Sequence, residues 1–227
     1  MGGQACVLYG AAEFSRDVDL AVLSEPPNLH RLLRALSELE AEPIFVPSLS
    51  VDMLLRGHAC HFRCHASRLE RLPIDVMSAM RGCDPFERLW KRRLRLRLPG
   101  AGMVSVLALE DLIQAKKTQR DKDWPMIRRL IEADLHRHAR RPDARRVALW
   151  LAESRTPELL VALCRSHAAA ARRASRTRPA LTAALAGDVP AVSAALRSEE
   201  EAARREDREY WAPLRAELSL WRQGRRR

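Results

Sequence analysis

The chain changes character near residue 107, and that change restricts the folds open to it. Before it, short apolar runs alternate with a helix-like stripe. Val18–Leu23 (VDLAVL), Pro43–Val46, His58–Cys64 and Pro73–Met77 (PIDVM) read as strands. Between them, Asn28–Glu40 carries Leu29, Leu32, Leu33, Leu36 and Leu39 at helical spacing, with Asn28 placed as the cap. Gln4–Tyr9 is short and apolar and fits helix or strand equally. After residue 107 the periodicity is helical throughout. Leu109, Leu112 and Ile113 form one apolar face, and Ile127, Leu130, Ile131 and Leu135 form the next on a helix from about Trp124. Residues 143–227 show no strand, and their Ala- and Arg-rich stretches are broken at Pro157, Pro179, Pro190 and Pro213. The terminal Arg225–Arg227 is expected to be frayed and solvated. The expectation is an α/β (α+β) mixed sheet with flanking helices over residues 1–100. A helical motif over 101–140 and an all-helical region over 141–227 follow it.

Composition narrows the class. With 227 residues, 47% of them apolar and only 5% aromatic, the chain can bury a core built mainly from Leu, Ala and Val. The net charge is +11, and all but four of the 40 basic residues are arginine. Part of that bias is compositional drift, and the remainder suits a polyanion such as nucleic acid or a nucleoside triphosphate. No apolar run reaches the roughly 18–20 residues of a membrane-spanning helix. Glu13 and Arg16 interrupt the N-terminal apolar stretch, which excludes a signal peptide. Five cysteines do not make a disulfide framework, so a reducing cytoplasm is expected.

Two clusters bear chemistry. Asp17 and Asp19 flank Val18 at the start of a strand, and residues two apart on a strand share a face. Two carboxylates so close repel unless a cation lies between them, and Mg²⁺ favours a few carboxylates plus substrate phosphates. Asp75, inside the later PIDVM strand, is a candidate third carboxylate. The alternative is that one aspartate caps the strand while the other pairs with Arg16. The second cluster, Lys116–Asp123 (KKTQRDKD), holds three of the four lysines. Compact ammonium charges suit a triphosphate, although a solvated interhelical turn has the same composition.

Gly2–Gly3, then after thirteen intervening residues Asp17 and Asp19, then Asp75, and the run from Leu109 to Lys116 followed by Arg120, Lys122 and Asp123 stand in a recognisable order. Together they resemble the nucleotidyltransferase superfamily, in particular the branch of type IV toxin–antitoxin nucleotidyltransferases. The resemblance covers residues 1–135. It implies that Asp17, Asp19 and Asp75 hold Mg²⁺ (or Mn²⁺), with Asp75 also activating the acceptor. It further implies that Gly2 and Gly3 cradle phosphate, that Lys116 contacts the nucleoside triphosphate with Arg120 beside it, and that Asp123 orients this basic turn. The implied reaction moves a nucleoside monophosphate from the triphosphate to an acceptor hydroxyl on RNA, a protein or a small molecule. The implied protein partner is a cognate antitoxin, and no membrane is involved. The chain departs from the family in having Gly3 where many members have serine. The family's first strand and helix also lie before the glycine pair, so the expectation is a start codon upstream of Met1. The contrasting function is a catalytically inactive module of the same fold that binds nucleic acid or a protein partner.

His58-Ala-Cys60-His61-Phe-Arg-Cys64-His65 has the composition of a zinc site. On a strand, however, His58, Cys60, Phe62 and Cys64 share one face and His61, Arg63 and His65 the other. Ligands from one straight strand do not converge tetrahedrally, so a buried strand with small apolar cysteines is the expected reading. Cys83 and Cys164 have no base nearby in sequence. Trp211 and Trp221 are expected to pack in a core.

Overall fold

The structure is a computed structural model and describes residues 1–67, 69 and 71–224; Arg225–Arg227 lie outside the described residues. It is a mixed α+β protein with a small sheet, many helices and a helical C-terminal region. Two compact units can be distinguished. The first comprises Met1–Leu8, Ala12–Ala115 and Glu209–Arg227, the second Tyr9–Ala11 and Lys116–Arg208.

The first unit opens with helix α1 (Gly2–Leu8), which settles the ambiguity of that apolar run. Strand β1 (Val18–Ala21), helix α2 (Pro26–Glu38), strand β2 (Ala41–Pro43) and the short helix α3 (Val51–Leu55) follow. Next come strands β3 (Cys60–Cys64) and β4 (Pro73–Met77). The four strands form one sheet in the order β1-β4-β3-β2, with β1 parallel to β4 and the other pairings antiparallel. Alternation does the sorting. Cys60, Phe62 and Cys64 of β3 and Ile74 and Val76 of β4 are buried in one core with Leu29 and Leu36 of α2 and Leu54 of α3. The residues between them, His61, Arg63 and Asp75, belong to the opposite face of the sheet.

Four expected elements shift, the first being β1, which ends at Ala21 and not Leu23. Helix α2 begins at Pro26, because Pro26-Pro27 occupy the first turn where their missing N–H groups cost nothing. Asn28 therefore lies inside the helix and is not its cap; its amide donates instead to the Leu23 carbonyl at 2.9 Å. Strand β2 lies at Ala41–Pro43 and not Pro43–Val46, and its pairing with β3 ends after Ile44 donates to the His61 carbonyl at 3.0 Å. Pro47 then denies a further donor. The strand expected from His58 starts at Cys60, since the His58 amide is spent on the Met53 carbonyl at the end of α3.

Helix α4 (Phe86–Arg92) leads into a separate two-stranded hairpin, β5 (Leu94–Leu98) and β6 (Gly102–Val106). Its alternating LRLRL and the turn at Pro99-Gly100 are hairpin signals that the expected helical motif over 101–140 passes over. Helix α5 (Leu109–Lys116) completes the order before the second unit.

The second unit is helical: α6 (Asp123–His138), α7 (Ala144–Glu153), α8 (Pro157–Ser166), α9 (Ala168–Ala174), α10 (Ala180–Ala186) and the first part of α11 (Val189–Gly224). Trp124, Ile127, Leu130, Ile131, Trp150, Leu151, Leu160 and Leu181 are buried. Asp143 caps α7 by accepting from the Arg146 amide at 2.7 Å. At the other end of α7, the buried Arg178 donates to the carbonyls of Leu151 (2.7 Å) and Ser154 (2.9 Å) and pairs with Glu199. A cation there satisfies orphan carbonyls and meets the negative end of the helix. Pro213 was expected to break the tail but lies inside α11. Both Pro213 and Glu209, whose carbonyl loses its helical donor, are exposed, so water can replace the missing bond. Among the described residues, no helix is long and apolar enough to cross a membrane.

Candidate active site

The first unit gathers five of the expected site residues. Asp19 on β1 and Asp75 on β4 are direct register partners across the parallel pair. Asp17 lies just before β1 and is held by the Ser15 hydroxyl, which donates to its Oδ1 at 2.8 Å. Both early carboxylates abut the start of α1. The Gly3 amide donates to Asp19 Oδ2 at 3.4 Å.

The glycine pair follows from this crowding. Gly2 has φ +64°, the left-handed region where a side chain is strained. A Cβ on Gly2 would also fall 1.6 Å from Asp19 Oδ2. A Cβ on Gly3 would fall 2.2 Å from Ser15 Oγ and 3.3 Å from Asp17 Oδ1. The two glycines thus make room for the aspartates and for Ser15. Because Gly3 lacks a side chain, the hydroxyl of Ser15 stands beside the place a serine at position 3 would fill.

A residue absent from the sequence-based site completes the row. His61 on β3 is the register partner of Asp75, and its Nδ1 lies 2.7 Å from Asp75 Oδ1. With the carboxylate as acceptor, Nδ1–H is the donor. Asp19, Asp75 and His61 therefore run in line across three adjacent strands. Phe45, 54% exposed, lies edge-on to the His61 ring with centroids 5.8 Å apart. Alternation alone put His61 away from the core. Which strand it would lie against depends on sheet order, and no local pattern encodes that.

Among the described residues, no three His, Cys, Asp or Glu side chains are arranged to hold a metal ion by themselves. Mg²⁺ asks less of a protein, because substrate phosphates and water supply most of its ligands. Two hard carboxylates side by side, Asp19 and Asp75, with Asp17 two residues from the first, meet that demand in donor type.

The second unit contains the lysine cluster as a closed network. Asp123, with its side chain only 2% exposed, accepts from Lys116 Nζ (2.9 Å), Thr118 Oγ1 (2.6 Å) and Arg120 Nε (2.7 Å). Burial opposes ionisation of this carboxyl. The charges of Lys116 and Arg120 and the Thr118 hydroxyl outweigh it and hold the group below its ordinary 3.8. The turn is further pinned by Trp124 Nε1, which donates to the Thr118 carbonyl at 2.8 Å, and by Asp207, which accepts from the Gln119 amide at 2.8 Å. Lys117 pairs with Glu153 at 2.7 Å, whereas Lys122 is exposed. The alternative of a solvated turn does not hold, since the turn is ordered round a buried aspartate.

No family model matches the chain, and no curated protein matches it.

Proposed function

We propose that the chain is a metal-dependent nucleotidyltransferase that moves a nucleoside monophosphate from a nucleoside triphosphate to an acceptor hydroxyl. The observation that carries this reading is the pairing of Asp19 with Asp75 on adjacent parallel strands, with Asp17 beside them at a glycine pair. Three carboxylates on the solvent side of a small sheet contribute little to stability by themselves. They suit an electropositive ligand and a phosphate chain.

In the proposed reaction the acceptor oxygen bonds to the α-phosphorus, the bond from that phosphorus to the bridging oxygen breaks, and pyrophosphate leaves with the electron pair. Bound Mg²⁺ or Mn²⁺ supplies Lewis-acid neutralisation of the phosphates. Asp17 and Asp19 are the residues that would hold it, with substrate phosphates and water completing its shell and Asp75 beside them. Asp75 Oδ2, the oxygen not engaged by His61, takes the acceptor proton. His61 holds that carboxylate in one orientation through Nδ1–H. Gly2 and Gly3 keep the floor of the site free of side chains. Lys116 and Arg120 are assigned to the triphosphate on the family resemblance, with Asp123 fixing both. The acceptor we favour is RNA, and toxin action restrained by an antitoxin extends the same reading.

The test is transfer of label from α-phosphate-labelled nucleotides, with Mg²⁺ or Mn²⁺, onto total RNA and total protein. Label incorporated by the native chain and lost in the Asp17→Ala/Asp19→Ala variant supports the reading and identifies the acceptor class. No label, together with no stabilisation by Mn²⁺ and nucleotide, overturns it in favour of a non-catalytic binding module. Slowed growth on expression, abolished by the same double substitution, tests toxin action.

A further inference from the structure

We propose that the surface formed by α4 and β5, from Phe86 to Arg97, is a docking site for single-stranded RNA. This does not depend on the transferase reading. The segment FERLWKRRLRLR carries Arg88, Lys91, Arg92, Arg93, Arg95 and Arg97 against one carboxylate, Glu87. The neighbouring acids are already engaged. Arg92 binds Asp111 with Nε (2.7 Å) and Nη2 (2.6 Å) and reaches Asp84 with Nη1 at 2.8 Å. Arg88 shares Asp84 at 3.3 Å. Lys91, Arg95 and Arg97 are exposed and have no ion-pair partner among the described residues. Arg95 and Arg97 lie two apart on β5 and so share one face of the hairpin.

Charge of this kind attracts any polyanion; the aromatic residues within it narrow the choice. Trp90 is 47% exposed although it stacks on Phe86, with centroids 5.7 Å apart and planes 21° from parallel. The Arg93 guanidinium lies 3.8 Å from the Trp90 ring centroid and is fixed by the Ser105 hydroxyl and the Trp90 carbonyl. A guanidinium laid on an indole is itself a flat stacking surface, and this ordered Trp90–Arg93 pair among unpaired cations suits a base that is free to stack while its phosphates meet arginine. Duplexes keep their bases stacked internally, whereas RNA presents splayed bases in loops and at ends.

The test is fluorescence anisotropy of a short labelled oligouridylate titrated with the full chain, over a range of salt concentrations. Trp90→Ala should weaken binding about tenfold without changing the salt dependence, and Trp90→Phe should retain most of the affinity. Arg95→Glu/Arg97→Glu should weaken binding and reduce the slope of log affinity against log salt by about 1.4. Arg172→Glu/Arg173→Glu, exposed on α9, should have a smaller effect. Melting temperatures establish that each variant is folded. The Arg95/Arg97 pair decides the matter if Trp90→Ala is not. Unchanged affinity in the decisive variant overturns the proposal. So does binding of duplex RNA that is equally tight and indifferent to Trp90, or competition by polyglutamate as effective as that by RNA. Failure of label transfer with Trp90-dependent RNA binding intact would overturn the transferase reading alone.

Discussion

His61 Nδ1 lies 2.7 Å from Asp75 Oδ1, and the two residues are opposite one another in the antiparallel register of β3 and β4. The contact engages one oxygen of Asp75 and leaves Oδ2 outside it. Removing the imidazole leaves the carboxylate free to rotate without opening a hole in the core, because His61 belongs to the polar face. His61→Ala should therefore lower transfer activity about 10- to 100-fold while leaving the melting temperature within a few degrees. His61→Gln, which can still donate, should recover part of the loss. Steady-state rates beside a thermal melt check both statements, and a large fall in melting temperature would show a structural role instead.

Gly3→Ser places a side chain where Ser15 already stands, its Cβ 2.2 Å from Ser15 Oγ. Overpacking of this kind costs about 1–3 kcal/mol. Deleting the obstacle with Ser15→Ala should return part of it, so the two substitutions should couple rather than add. Urea unfolding of the single and double variants measures the coupling. Gly2→Ala has no such rescue, because its left-handed backbone adds about 1–2 kcal/mol to the overlap with Asp19.

Asp123→Asn leaves Lys116 and the half-exposed Arg120 facing a neutral group. A loss of about 1–3 kcal/mol is expected, read by chemical or thermal unfolding. The pH dependence has a definite sign. The folded-state value of Asp123 is depressed, so its stabilisation is present above the ordinary 3.8 and is lost as the pH falls through the lower folded value. Below about pH 4 the native chain should lose stability more steeply than the Asn variant.

Burial raises the thiols of Cys60 and Cys83 to about 11. At pH 8 both should alkylate roughly a hundredfold more slowly in the native chain than in the unfolded one. Mass spectrometry after timed iodoacetamide exposure follows each site. Rapid modification of Cys83, the less buried of the two, would contradict its assignment as a protonated thiol.

Local pattern made the first unit's strands legible wherever alternation was strong. PIDVM was bounded correctly at Pro73 and Met77, and Cys60, Phe62 and Cys64 were placed on the buried face. Asp17, Asp19 and Asp75 could be singled out because strand position and residue type are both local. The pairing of Asp19 with Asp75, and of Asp75 with His61, is a property of sheet order, and short strands carry no local record of their neighbours. Asn28 misled for another reason. A good capping residue is overridden when two prolines start the helix ahead of it. Pro213 misled because a helix long enough to be held elsewhere along its length tolerates one missing hydrogen bond on its exposed side. For Lys116–Asp123 a triphosphate contact and a solvated turn both stayed open, because composition does not reveal that one of its acids is buried.

Helix α11 contributes its later residues to the sheet-containing unit. His58, 2% exposed at the end of α3, is covered by Trp221, with ring centroids 5.1 Å apart, and its Nε2 lies 2.7 Å from Glu217 Oε2. Arg56 pairs with the same Glu217 and lies over the Trp221 ring. These partners leave the ribosome more than a hundred and fifty residues after the histidine they cover. During synthesis the whole of the second unit is made before the residues that close the flank of the first. The nascent chain must therefore keep an unfinished sheet soluble until the later turns of α11 arrive, and a chain cut short within α11 would be incomplete in its first-made half.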